Sequence, residues 1–386
     1  MQIRFIQSIH QLDPEQWNPL CPADYPFVRH EFLAALEDTG CTTAATGWQV
    51  QHLVLFCGEE LVAVMPGYVK THSYGEYVFD WGWADAYRRH GLHYYPKWIN
   101  AIPFTPCVGP RLLCAPNQNP DDIISHITQA LTAYCDTRQF SGWHCLFPPT
   151  DFSQHLQEHA IPQRLGCQFH WFNRDYTSFD DFLTQLNSRK RKNIAKERRQ
   201  VEEQGFRFET KTGAEINTQD WELFYALYRN TYLKRSGHTG YLSQTFFQQI
   251  GTSISNHLVL INARKVTGNK NGEVVAAALF FRDNTTIYGR YWGCFEEYQF
   301  LHFETCYYQG IDYAIANRLQ RFDGGAQGEH KIARGFEPVI TYSNHWICEP
   351  AFRTAIDNFI QTEAESILAY ADDARAHLPF KQNVAN

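Results

Sequence analysis

A short internal repeat restricts the architecture of this 386-residue chain more than any other feature. Gly58-Glu-Glu-Leu-Val-Ala-Val leads, after a turn, to Ser73-Tyr74-Gly75-Glu76-Tyr77. Gly272-Glu-Val-Val-Ala-Ala leads to Ile287-Tyr288-Gly289-Arg290-Tyr291, at an offset of 213 to 214 residues in both places. A duplicated α/β lobe explains both matches, because the order of strands and helices around them agrees too. At roughly 150 residues per domain the length also suits two lobes. Sequence order places them at 1–165 and 166–386, with a basic helix, 179–205, at the junction.

Periodicity supplies the elements of each lobe. WQVQHLVLFC and ELVAVMPGYVK are strand-like and joined by Gly58-Glu59-Glu60, which predicts a hairpin. YPKWINAIPFTPCVGPRLL is broken by four prolines and reads as edge strand and loop. Asn119-Pro120-Asp121-Asp122 is a helix start, with a capping side chain, proline at the first position and acids in the first turn. WHCLFP is a short buried strand. Ser178 opens the basic helix, and helices around 219–232 and 243–255 follow. LVLINARKV, EVVAAALFFR and TIYGRYWGC then form a second set of strands. Phe303, Tyr307, Ile311, Ala314, Ile315 and Leu319 fall at helical spacing and read as a buried stripe. The fold class is therefore α/β (α+β), each lobe a mostly antiparallel mixed sheet flanked by helices.

The net charge of −7 argues against nucleic acid as a partner of the whole surface. Locally the sign reverses. Arg189-Lys190-Arg191-Lys192, with Lys196, Arg198 and Arg199, places seven cations in eleven residues, opposed only by Glu197. Such a helix suits a polyanion, tRNA included, or is simply a solvated face. The eleven cysteines include no C-x-x-C pair and are spread through apolar runs, so reduced thiols and a cytoplasmic location are expected. No window approaches the ~20 apolar residues of a membrane span.

The densest chemistry lies in Gly324-Gly325-Ala326-Gln327-Gly328-Glu329-His330-Lys331-Ile332-Ala333-Arg334. Glycines let a ligand approach backbone, and Gln327 and Gly328 are read as part of that binding loop. Amine acylation needs a base, for which Glu329 or His330 qualifies. It also needs positive charge where an oxyanion develops, for which Lys331 and Arg334 qualify. The loop lacks the G-K-[ST] ending of a Walker motif. Glu304 and His302, at the start of the following helix, are candidates for base and acceptor binding. On the preceding strand, alternation makes Arg290 and Trp292 point together as substrate-binding residues. In the first lobe, Asp80 and Trp83 belong to an indole- and carboxylate-rich turn that either binds an acceptor or packs the core. His155-Leu-Gln-Glu158-His159 has the spacing of an inverted zinc-peptidase motif, but Pro162 ends any helix at once, and no metal is expected.

Several longer strings, YGEYVFDWGWADAY, SRKRKNIAKERR, YGRYWG and GGAQGEHKIARGF, resemble a bacterial FemAB-like group of predicted N-acyltransferases. The order of elements from GEVVAAALFF to RFDGG is similar to the second GNAT-like lobe of Fem-type peptidoglycan aminoacyltransferases. The resemblance implies acyl or aminoacyl transfer to an amine, with an acyl-CoA or an aminoacyl-tRNA as donor and a small-molecule or peptide acceptor, cell-wall precursors included. The alternative is a non-catalytic module that recognises a peptidoglycan peptide or tRNA. One departure stands out. GNAT enzymes that use acetyl-CoA carry Arg/Gln-x-x-Gly-x-Gly/Ala before a helix, and Arg290-Tyr-Trp-Gly293 supplies half of it, followed by Cys294-Phe295.

Overall fold

The computed structural model describes residues 1–381 apart from Ala23 and Gln327. The chain forms two compact units. The first comprises 1–167 and 340–370; the second comprises 168–339 and the described residues from 371 on. The last strand and most of the last helix thus return to the first unit, a long-range exchange that sequence order does not announce.

In the first unit a four-stranded sheet runs in the order Gln2–Ile6, His52–Cys57, Glu60–Met65, Leu113–Cys114. The expected hairpin is its centre. Helix Pro120–Arg138 covers it, with the Asn119 side chain accepting from the Asp121 amide at 3.2 Å. Ile123, Ile124, Ile127 and Leu131 pack onto Leu53, Leu55, Val62 and Met65, each buried aliphatic chain contributing about 1.5–3 kcal/mol of transfer free energy. A second sheet runs Glu337–Ile347, Gly142–Leu146, Lys97–Asn100, Gly67–Lys70, Trp48–Val50. Lys97–Asn100 is therefore an interior strand, paired on both sides, and not the edge that its prolines suggest. Pro96, Pro103, Pro106 and Pro110 all lie outside those four residues, so no ladder amide is lost.

The second unit carries strands in the order Phe206–Thr212, Leu258–Lys265, Val274–Arg282, Thr286–Cys294, Arg321–Asp323, Gln163–Phe172. The pairs are antiparallel except Thr286–Cys294 with Arg321–Asp323. Helix Thr218–Ser236 starts on a reciprocal cap, Asn217 with Asp220, and ends at Gly237 in the left-handed region. The expected helix 179–205 is two helices, Phe179–Thr184 and Ser188–Glu203. The break comes at Asn187, whose side chain caps the second helix through the Lys190 amide at 3.0 Å.

The internal repeat holds for its first half only. Both hairpins form, but Ile287–Tyr291 is strand whereas Ser73–Tyr77 is a turn, with φ of 80° at Gly75 and 60° at Tyr77.

Candidate active site in the second unit

The two parallel strands of the second unit pair over three positions only, Thr286–Tyr288 against Arg321–Asp323. A cavity of about 470 Å³ lies beyond that point. Gly289, Arg290, Tyr291 and Trp292 line one side, and Gly324, Ala326, Gly328, His330 and Lys331 the other. His302, Cys306 and Tyr307 close it from the helix, and Arg235 reaches it from the end of helix Thr218–Ser236.

A β-bulge aims the charge. Leu279 faces Tyr291 and Phe280 faces Gly289, so Arg290 is the extra residue of the bulge. Bulges redirect a side chain in this way. The Arg290 guanidinium meets the Asp323 carboxylate at 2.9 Å, with both side chains buried. Asp323 also accepts the Gly325 amide at 2.8 Å. Gly325 sits at φ 79° with a Cβ position 3.1 Å from the Arg290 guanidinium, so the turn that wraps Asp323 requires glycine. Its carbonyl accepts the Lys331 ammonium at 3.0 Å. Burial works to raise Asp323, but Arg290 and His170 hold it down at about 2. Burial lowers Lys331 to about 8; Asp323 opposes that shift and Arg290 adds to it.

The imidazoles are held neutral. Burial, with Lys331 and Arg334 nearby, lowers His330 to about 4. His302 falls to about 3 for the same first reason, with His330 and Arg235 adding to it. The Tyr307 hydroxyl lies 2.9 Å from His330 Nε2. Burial pushes the Tyr307 phenol up, so it stays protonated. A phenol against a neutral imidazole can carry a proton between a bound amine and the ring.

Of the residues expected to form the site, Arg290, Trp292, His302, Gly328, His330 and Lys331 come together here. Gln327 lies outside the described residues. Glu329 is exposed at the start of the short helix Glu329–Arg334 and does not line the cavity. Arg334 is buried beside it, 2.8 Å from Glu197, 2.7 Å from the His330 carbonyl and stacked over Phe303. It positions the loop. Glu304 faces another cavity, with Phe179, Arg198 and Gln309. A π-helical turn, Glu304–Tyr308, sends Tyr307 and Cys306 one way and Glu304 the other. Glu304 meets Arg198 at 3.0 Å and accepts from Gln309 at 2.8 Å. Asp80 and Trp83 lie in the core of the first unit: Asp80 accepts from Tyr94 at 2.7 Å and pairs with Lys97, and Trp83 packs edge-on to His345.

Tyr307, Asp323 and Arg235 were not singled out by sequence. Tyr307 falls at core spacing, and only its hydroxyl marks it as more than packing. The basic helix has its later cations paired, Arg198 with Glu304 and Asp312 and Arg199 with Glu203. Its opposing acid, Glu197, is taken by Arg334 and by the Tyr308 hydroxyl. Among the described residues, Arg189, Lys190, Arg191 and Lys192 form no ion pair, and the first turn of that helix has no acid.

The half-motif for CoA does not form a phosphate cradle. Gly293 lies within strand Thr286–Cys294, and a Cβ there would sit 2.3 Å from the Leu227 carbonyl carbon. It is glycine because helix Thr218–Ser236 packs on it. The segment from strand to helix, Phe295-Glu-Glu-Tyr-Gln-Phe300, has no glycine and two acids, a poor site for pyrophosphate.

The sequence profile of the FemAB-like family, described as peptidoglycan biosynthesis/recognition, matches residues 8–382. The chain belongs to the FemAB-like family. Two solved structures show how widely the FemAB-like architecture is shared. FemX superposes with a TM-score of 0.54 at 11% identity, over 92% of this chain and 100% of that one. The C-terminal domain of a putative lysylphosphatidylglycerol synthetase from Agrobacterium fabrum gives 0.54 at 9% identity, over 92% and 97%. These likenesses are of fold. Among curated proteins none matches. Among the described residues no helix is long and apolar enough to cross a membrane. Nor do three or more His, Cys, Asp or Glu side chains gather into a metal site, the His155 and His159 region included.

Proposed function

We propose that this FemAB-like protein transfers an acyl or aminoacyl group to an amine, with the cavity between the diverging strands as the reaction site. The observation that carries this reading is the Tyr307–His330 pair facing Lys331 and Arg290 across one cavity.

The acceptor nitrogen attacks the carbonyl carbon of the donor ester, forming the C–N bond. Its proton passes to the Tyr307 oxygen as the Tyr307 proton passes to His330 Nε2. A developing oxyanion beside Lys331 and Arg290 is stabilised by their charge and raises the basicity of His330. The C–O bond then breaks, and the departing alkoxide recovers the proton. Glu304 and Arg334 support the site without touching the reacting atoms.

The donor best supported is an aminoacyl-tRNA, with its phosphates on Arg189, Lys190, Arg191 and Lys192. Phe295–Phe300 offers CoA no cradle, whereas four cations that form no ion pair among the described residues, at a helix start whose first turn has no acid, suit a polyanion. The acceptor suited to the family is a peptidoglycan precursor peptide. Native mass spectrometry of the purified protein tests the donor. RNA should be bound at low salt, released at high salt, and absent when the four cations are replaced by Gln. A co-purifying CoA thioester, or RNA that stays on the substituted protein, would contradict this assignment.

A further inference from the structure

The first unit exposes large apolar side chains in an unusual concentration. Tyr74, Phe79, Trp81, Leu92 and Phe359 are each between 40% and 56% exposed. Tyr74, Trp81 and Leu92 lie together, and Phe79 and Phe359 both lie beside Arg164. Tyr74 and Trp81 have ring centroids 5.0 Å apart. Trp81 and Leu92 line one open groove of about 700 Å³. Arg164 donates to the Phe79 carbonyl at 2.9 Å and stands 6.0 Å from the Phe359 ring. A patch of this kind marks an interaction surface.

The charge on its rim decides which kind. Helix Trp81–Arg89 ends in Arg88 and Arg89, and residues 88–93, Arg-Arg-His-Gly-Leu-His, are all exposed. Asp85 is the acid among the described residues lining the groove, and both arginines pair with it, which leaves the rim positive. Tryptophan and tyrosine rings with one apolar and one polar edge settle at the boundary between lipid and water. Arginines beside them gain from anionic headgroups.

We propose that this face docks the protein peripherally on an anionic phospholipid surface, with Trp81, Phe79 and Leu92 entering the headgroup boundary and Arg88 and Arg89 meeting lipid phosphates. No spanning segment is involved; the mode is interfacial. The proposal is independent of the transfer chemistry in the second unit.

Co-sedimentation of the full chain with phosphatidylcholine vesicles containing phosphatidylglycerol tests it. The protein is expected to partition onto these vesicles, roughly tenfold more weakly onto phosphatidylcholine alone or after Arg88→Gln with Arg89→Gln. Trp81→Ala with Leu92→Ala should abolish partition while circular dichroism is unchanged. A second readout does not depend on those variants: quenching of tryptophan emission by brominated acyl chains, lost in Trp81→Phe. Absence of partition onto phosphatidylglycerol vesicles would overturn the proposal. So would equal binding of wild type and the Trp81→Ala, Leu92→Ala variant, or a protein dimer in solution that those substitutions dissociate.

Discussion

The Tyr307 hydroxyl lies 2.9 Å from His330 Nε2, and both side chains line the same cavity as Lys331 and Arg290. The contact joins a helix to a glycine-rich loop, so two elements must fold before the pair exists. If the pair moves the proton, Tyr307→Phe should lower the rate of transfer by about 10²-fold. KM for the acceptor should change little, since the ring still fills its place. Steady-state transfer rates check this, and an unchanged rate would remove Tyr307 from the mechanism.

Lys331 gives the pH profile a definite sign. Burial lowers its ammonium to about 8, so the charge is present below that pH and lost as pH rises through it. Transfer should therefore fall on the alkaline side with a midpoint near 8. Lys331→Arg keeps the charge at all accessible pH values and should move that limb upward. His330, held at about 4, stays neutral through the physiological range and should put no limb near 6.5.

Gly293 separates packing from ligand binding. Its missing Cβ makes room for the backbone at Leu227 and Tyr228. Gly293→Ala should cost about 1–3 kcal/mol or more, as overpacking does, read as a lower midpoint in urea. A variant of unchanged stability that loses only donor binding would restore the phosphate-loop reading of Arg290–Gly293.

The first five residues of helix Ser188–Glu203 carry four cations at the end where the helix dipole disfavours them. Replacing Arg189, Lys190, Arg191 and Lys192 by Gln should weaken polyanion binding and flatten its salt dependence. It should also leave the protein slightly more stable, by a few tenths of a kcal/mol per exposed charge. Gain of stability with loss of binding is the signature of residues retained for function. Thermal melting and salt titration of RNA binding measure the two halves.

Much of this was readable in the residues. Asn119 and Ser178 each begin a helix by capping it, and the hairpins at 52–65 and 258–282 follow from alternation around turn residues. The loop 324–334 was legible because glycines and ionisable groups crowd there without an apolar period. What failed had causes that hydrophobic spacing does not report. Asn187 divides a helix that periodicity joins, because a capping side chain competes with continuation. Lys97–Asn100 is interior although prolines flank it. Glu304 was placed with the site because it stands near it in sequence, but one π-helical turn puts it on the opposite face. Tyr307 was hidden in a hydrophobic stripe, since spacing reports burial and not the partner of a hydroxyl. The bulge at Arg290 depends on the register of two strands and leaves no mark in either sequence.

The central claim is that the cavity around His330 carries out acyl transfer. The most direct measurement is movement of a radiolabelled aminoacyl group from a charged tRNA pool to peptidoglycan precursor peptides, with wild type, His330→Ala and Tyr307→Phe compared. Label is expected on the acceptor amine with wild type, nearly none with His330→Ala and a reduced rate with Tyr307→Phe. Equal transfer by all three proteins would contradict it, as would binding of tRNA and peptide by wild type with no label transferred.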